Sequence, residues 1–139
     1  MNSKIWNGQS FCVSHADGSG TSNSGFSGGL RAFFEYRDLG INTASSGKYS
    51  ANVIRAVPGQ HAKPNWHVHD LDFQMIYILQ GWVTFEYEGQ GEITFRPGSS
   101  ALQPPGIHHR EIRHSDDLEL IEITSPAEFK TESVKAPKN

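Results

Sequence analysis

A chain of 139 residues is long enough to fold as one domain and needs no second. Its formal net charge is −3 and its basic residues are scattered, so we do not expect nucleic acid as a partner. No apolar run approaches the roughly 18 residues that cross a bilayer, and the N-terminus lacks the apolar block of a signal peptide, so we expect a soluble protein without a membrane partner. The 14 glycines and 7 prolines predict an all-β fold of short strands joined by tight turns.

The first 29 residues are predicted to form an N-terminal arm. Residues 5–13 contain a short apolar segment that could pair as an edge strand or cross to a partner subunit, and the sequence leaves both open. Residues 17–29 hold five glycines and four serines, a composition typical of a flexible loop. Cys12 is the only cysteine, which excludes an intramolecular disulfide and agrees with a cytoplasmic location. We interpret it as a small buried thiol.

Short apolar or alternating runs separated by glycine and proline turn signals follow from residue 30 onward. Their spacing is too tight for helices to fit between them, so residues 30–125 are predicted to form one all-β domain. Ser125 before Pro126 predicts one short helical turn within residues 125–130, and residues 126–139 are predicted to form a C-terminal tail. The predicted strands span residues 30–37, 49–57, 64–69, 72–79, 82–88, 91–96, 99–103, 108–114 and 118–124.

Three of the seven histidines form a candidate metal site. His67 and His69 stand two residues apart on a predicted strand, so their imidazoles point to the same face. Gln74 follows a bend at residues 70–72 that can bring its side-chain oxygen back beside the two rings. His109 comes much later, after a Pro-Pro-Gly turn. The other candidates, His15, His61 and His114, have no motif partner and are interpreted as ordinary polar residues.

These residues fit a two-part pattern that resembles the cupin family. The resemblance implies a double-stranded β-helix, or jelly-roll barrel, that forms a homodimer. It also implies that His67, His69 and His109 bind one divalent transition metal inside the barrel. Imidazole suits iron, manganese, nickel, zinc and copper, so the ligand type does not select the metal. The first motif is matched by Gly59, His67, His69, Gln74 and Gly81, and the second by Gly98, Pro104, Gly106 and His109.

The sequence departs from the family pattern at three places. Gln74 replaces the usual glutamate, which leaves a neutral donor set; it either binds the metal through its amide oxygen or hydrogen-bonds a metal-bound water. His108 precedes His109, and because strand alternation sends the two to opposite faces, only one enters the barrel; the motif spacing favours His109. Arg113 replaces the usual asparagine. Alternation places Glu111 and Arg113 on the face of His109, either as functional groups or as solvated or mutually paired residues at the barrel rim.

Three protein ligands leave open coordination positions on a metal, as in catalytic rather than structural sites. The leading hypothesis is a mononuclear metalloenzyme that acts on a small molecule, with dioxygenase-like chemistry and with Gln74 and Glu111 as the candidate catalytic residues. One alternative is a non-catalytic cupin that binds or senses a small ligand. Another is a metal-dependent isomerase or lyase, for which Glu111 would be the base.

Overall fold

Antiparallel strands make up nearly all of the regular structure of this chain. The computed structural model describes residues 4–20, 25–29 and 31–138. Within these ranges one short helix, α1 (Ile41–Ala44), accompanies the strands. The strands are β1 (Ile5–Trp6), β2 (Gln9–Ser10), β3 (Ser27–Gly28), β4 (Phe34–Asp38), β5 (Ser50–Ala56), β6 (His67–Asp70), β7 (Phe73–Gln80), β8 (Val83–Tyr87), β9 (Gly91–Phe95), β10 (Ser100–Leu102), β11 (His109–His114), β12 (Glu119–Ser125) and β13 (Lys130–Ser133).

Two sheets face each other to form the barrel. One has the strand order β10-β7-β12-β5-β4-β3 and the other the order β13-β6-β11-β8-β9, while β1 and β2 form a separate hairpin. Every strand pair is antiparallel, including the pairs between strands far apart in the chain, such as β12 with β5 and β13 with β6. The predicted all-β jelly-roll barrel is confirmed.

The inward face of the barrel changes from apolar to polar along its strands. On β7, Ile78 and Ile76 are fully buried in the core, and the next inward position is Gln74. On β12, Leu120 is followed by Glu122 at the next inward position. Each buried isoleucine or leucine stabilises the fold by roughly 1.5–3 kcal/mol. The apolar core therefore fills one end of the barrel and leaves a polar cavity at the other.

Gly81, the last residue of the first motif, is required by the turn between β7 and β8. Its φ is +71°, in the left-handed region that glycine adopts without strain. A Cβ at this position would overlap the side chain of Ser115 and lie 2.9 Å from Leu118 Cα. Since Leu118 is a core residue, the motif glycine holds the turn close against the core.

All nine predicted strands are present, with ends that differ by a few residues, but the C-terminal segment differs from the prediction. The helical turn predicted within residues 125–130 is wrong, because β12 extends through Ser125 and β13 then pairs with the edge of β6. Pairing through the backbone satisfies amide groups that one isolated turn would leave to solvent. Parts of the predicted arm (residues 1–3 and 21–24), the first predicted barrel residue, Leu30, and Asn139 lie outside the described residues.

The N-terminal apolar segment pairs with itself. Ile5 and Trp6 of β1 face Ser10 and Gln9 of β2, and both apolar side chains are more than half exposed. Cys12 is half-buried as a free thiol. In the part of the chain that is described, no helix has the length and apolar character needed to cross a membrane.

Candidate metal centre

Strand register brings the three predicted histidines together. His109 on β11 is the direct Cα partner of His67 on β6, and His69 lies two residues further along β6 on the same face. One ligand nitrogen from each ring lies within 4.8 Å of the others. The ring centroids are 4.2 Å apart for His67 and His109, and 4.9 Å apart for each pair that includes His69.

Hydrogen bonds fix which ring nitrogen faces the cavity. His67 Nδ1 lies 2.7 Å from the carbonyl oxygen of Asn65, and His109 Nδ1 lies 2.9 Å from that of Ile107. A carbonyl oxygen only accepts, so Nδ1 carries the proton in both rings and Nε2 keeps its lone pair. His69 Nδ1 lies 2.8 Å from Thr131 Oγ1 on β13. Such outer contacts orient metal-binding imidazoles and increase their basicity toward a metal.

The environment keeps the three rings neutral. Burial, and then the neighbouring His109 and His67, lowers the pKa of His69 to about 3. Burial lowers the pKa of His109 to about 4, against the opposing effect of its bond to Ile107. Burial also lowers the pKa of His67. A cluster of neutral imidazoles with converging lone pairs is a donor set that fits a divalent transition metal.

His109, and not His108, faces the cavity, as the motif spacing predicts. His109 is 2% exposed, and the ring of Tyr87 stacks on it at a centroid distance of 5.8 Å. The ring of Phe129 packs edge-on against His69 at 5.4 Å. His108 is half-buried and neither belongs to the cluster nor lines the cavity. Aromatic rings therefore pack against two of the three imidazoles.

Gln74 lies in the same cavity and is bound to the carboxyl group of Glu122, which was not among the predicted site residues. Its Nε2 donates to Glu122 Oε2 at 3.0 Å, which leaves Oε1 as the free acceptor of the amide. Burial raises the pKa of Glu122, and the bond from Gln74 partly offsets this. The sequence did contain a signal for Glu122 as a cavity residue. It lies two residues from both Leu120 and Thr124, at an inward position of the predicted strand 118–124.

Glu111 also lines the cavity, as the strand alternation predicts. Its Oε2 lies 3.1 Å from His114 Nδ1, and the two side chains are only 8% and 2% exposed. Glu111 Oε1 and His114 Nε2 are buried without a hydrogen-bond partner among the described residues. His114, interpreted from the sequence as an ordinary polar residue, is thus a buried partner of a cavity residue.

The prediction that Arg113 shares the inward face of His109 is wrong. A β-bulge in the pairing of β11 with β8 falls between Glu111 and Arg113 and reverses the alternation there. The Arg113 side chain is 57% exposed and pairs with Glu92 at 3.2 Å.

The cavity in front of the histidines has a volume of about 270 Å³ and is lined by residues of both sheets. Its apolar wall includes Phe34, Ile76 and Phe85. Several polar lining residues were not predicted from the sequence, because they come from loops or from strands without a motif. These are Arg31, Tyr36, Lys63, Asn65, Glu122 and Thr131.

Residues 52–124, just over half of the chain, match the family described as Cupin domain. The chain belongs to the cupin family. The match includes all three clustered histidines as well as Gln74 and Glu111. No curated protein sequence matches this cupin.

Solved structures share the fold at low sequence identity. KdgF from Halomonas sp. is 20% identical, with a TM-score of 0.58 over 73% of this cupin and 87% of that chain. Fe(II) HppE is 11% identical, with a TM-score of 0.63 over 88% of this cupin and 63% of that chain. The formate complex of Lactobacillus farciminis oxalate decarboxylase is 15% identical, with a TM-score of 0.59 over 78% and 33%. This cupin therefore spans less than two thirds of the latter two chains.

Proposed function

We propose that this cupin is a mononuclear metalloenzyme that binds one divalent transition metal through His67, His69 and His109. The observation that carries the proposal is the convergence of three neutral imidazoles on a cavity with room for a small molecule. A metal held there would supply Lewis-acid or redox chemistry at its open coordination positions. Similar folds in enzymes such as oxalate decarboxylase and Fe(II) HppE support an enzymatic role.

Each cavity side chain then has a specific task in the proposal. Gln74 directs its amide oxygen away from Glu122, where it can bind the metal or hydrogen-bond a metal-bound water. Glu111 Oε1, which has no partner among the described residues, is placed to hold or accept a proton from a bound substrate. Phe34, Ile76 and Phe85 exclude water from the apolar side of the cavity.

Dioxygenase-like chemistry is the leading form of this proposal, because the donor set is rich in histidine and holds no certain carboxylate ligand. The test begins with elemental analysis of the purified protein, for which we expect a transition metal near one per chain. An oxygen electrode then screens diketones, catechols and flavonols, and uptake must disappear in the His67→Ala variant. A protein that is isolated without metal and cannot be reconstituted would contradict the metalloenzyme proposal and leave a ligand-binding or sensing role.

An isomerase or lyase is the second candidate, and the buried free oxygen of Glu111 favours it. In that case a substrate is converted without oxygen uptake. Glu111→Gln then removes turnover while metal content stays unchanged, because the substitution keeps the size of the side chain and removes only its basicity.

Gln74→Glu is expected to tighten metal binding, because a carboxylate adds charge attraction to a neutral donor set. The adjacent Glu122, 3.0 Å from the amide, limits this gain, since two carboxyl groups at that distance share a proton. The double variant Gln74→Glu/Glu122→Gln avoids the repulsion and should bind metal roughly tenfold more tightly than the native protein. Chelator competition measures both variants. No gain in either would place residue 74 outside the coordination sphere.

We also propose that the protein is a cytoplasmic homodimer. The outer face of β7 and β10 exposes Phe73, Tyr77, Leu79 and Leu102, whose exposed fractions lie between 39% and 62%. A continuous apolar face of this kind is typical of an interface between subunits. Sedimentation equilibrium of the native protein tests the dimer.

A further inference from the structure

The cavity contains an arginine that has no ion-pair partner among the described acidic residues. Arg31 precedes β4 and lines the cavity together with the three histidines. Arginines 55, 110 and 113 form ion pairs with glutamates, whereas Arg31 forms none with the described residues. Its positive charge contributes to the lowered pKa of His67, His69 and His109 alike, as expected for a guanidinium close to the whole cluster.

Each of the two acidic residues of the cavity has a hydrogen-bond partner other than Arg31. Glu111 is bonded to His114, and Glu122 accepts the bond from Gln74. Lys63 adds a second cation on an exposed loop at the cavity entrance, and it too forms no ion pair with the described residues. Since the three imidazoles are neutral, a bound divalent metal would make the cavity strongly positive.

From this arrangement we infer that the substrate is a small carboxylate, held by the Arg31 guanidinium on one side and facing the histidine cluster on the other. The inference deepens the proposed function and rests on it. The planar fork of arginine matches a carboxylate with two parallel hydrogen bonds. A carboxylate group carries one negative charge, so it also loses less hydration on entering a cavity with an apolar wall than a more highly charged phosphate group does.

The cavity volume limits the size of this substrate. About 270 Å³ lies below the roughly 300–1,000 Å³ of pockets that take drug-sized ligands. Lys63 at the entrance would attract the anion from solution, an effect that weakens as salt is added.

Calorimetric titration of the zinc-loaded protein with malonate tests the inference. Malonamide serves as the neutral analogue of similar shape, and inorganic phosphate as the competing anion. We expect malonate to bind and malonamide not to bind. Arg31→Gln should weaken malonate binding roughly 10- to 100-fold, because a charged hydrogen-bond donor is lost. The Arg31→Lys variant should bind malonate with an affinity between those of the native protein and the Arg31→Gln variant, since lysine keeps the positive charge and loses the planar fork of donors.

Arg96→Gln is the matched control, because Arg96 is exposed and does not line the cavity. Equal effects of the Arg31→Gln and Arg96→Gln substitutions, equal binding of malonate and malonamide, tighter binding of phosphate, or no malonate binding would each overturn the inference. Zinc content is measured for every variant. If the native protein takes up no divalent transition metal, the proposed function fails, and the same titration of the metal-free protein still tests Arg31.

Discussion

Replacing His109 with alanine is expected to abolish stable metal binding and to reduce the metal content of the purified protein to near zero. Among the three clustered histidines, His109 alone comes from a different strand than the other two, so its loss leaves the imidazoles of His67 and His69 on one strand. Loss of an outer contact that only orients a ligand lowers metal affinity by roughly 10- to 100-fold. Loss of the His109 ligand itself should therefore lower the metal affinity by more than about 100-fold. Elemental analysis after dialysis measures the change.

His108→Ala is the matched control for this experiment. The two histidines are adjacent in the chain, but only His109 faces the cluster. We therefore expect the His108→Ala variant to retain its metal. Circular dichroism must show that both variants remain folded, because His109 is also packed against Tyr87. Metal loss in the His108→Ala variant alone would contradict the assignment of the ligand.

The strands and the histidine cluster could be predicted because each leaves a periodic signal in the sequence. His67 and His69 share a face whenever their segment is extended, and the second motif fixes His109 by its spacing from Gly106. By contrast, β13 has no apolar face, since all four of its residues are exposed. It is a strand only because its backbone pairs with β6, which the local sequence does not encode.

The errors at the site have equally specific causes. Arg113 was placed inward by an alternation that one bulge after Glu111 reverses, and a bulge has no reliable local signature. Arg31 reaches the cavity from a segment before β4, so only the tertiary fold shows that it neighbours the histidines. Glu122 is different, because a charged residue on the inward face of a predicted strand could have been recognised from the sequence.

Metal binding should persist to lower pH than for ordinary histidine ligands. An imidazole must be neutral to bind metal, and an unperturbed one becomes protonated below a pKa of about 6.5. In this fold the pKa of His69 is lowered to about 3 and that of His109 to about 4. Protons therefore compete for these two rings only near and below pH 4. The pKa of His67 is also lowered by burial, so the affinity for Co(II) should fall much less between pH 7 and about pH 5 than the roughly thousandfold or more that three unperturbed imidazoles would lose.

The same pKa values set the pH dependence of folding in the metal-free protein. Between pH 6.5 and about 4, His69 and His109 bind protons in the unfolded chain but not in the folded one. The free energy of unfolding therefore decreases as the pH falls through this window. Urea denaturation at several pH values measures the slope of the unfolding free energy against pH, and His69→Gln should make this slope shallower because one titrating group is removed.

Two results together would contradict both pH predictions. These are an affinity for Co(II) that falls steeply already below a pH of about 6.5, and a slope of unfolding free energy against pH that is unchanged in the His69→Gln variant. They would mean that the rings are ordinary solvent-exposed imidazoles. Retention to pH 5 would instead show that burial in the barrel keeps the three nitrogens available to the metal, which is the property on which the proposed chemistry depends.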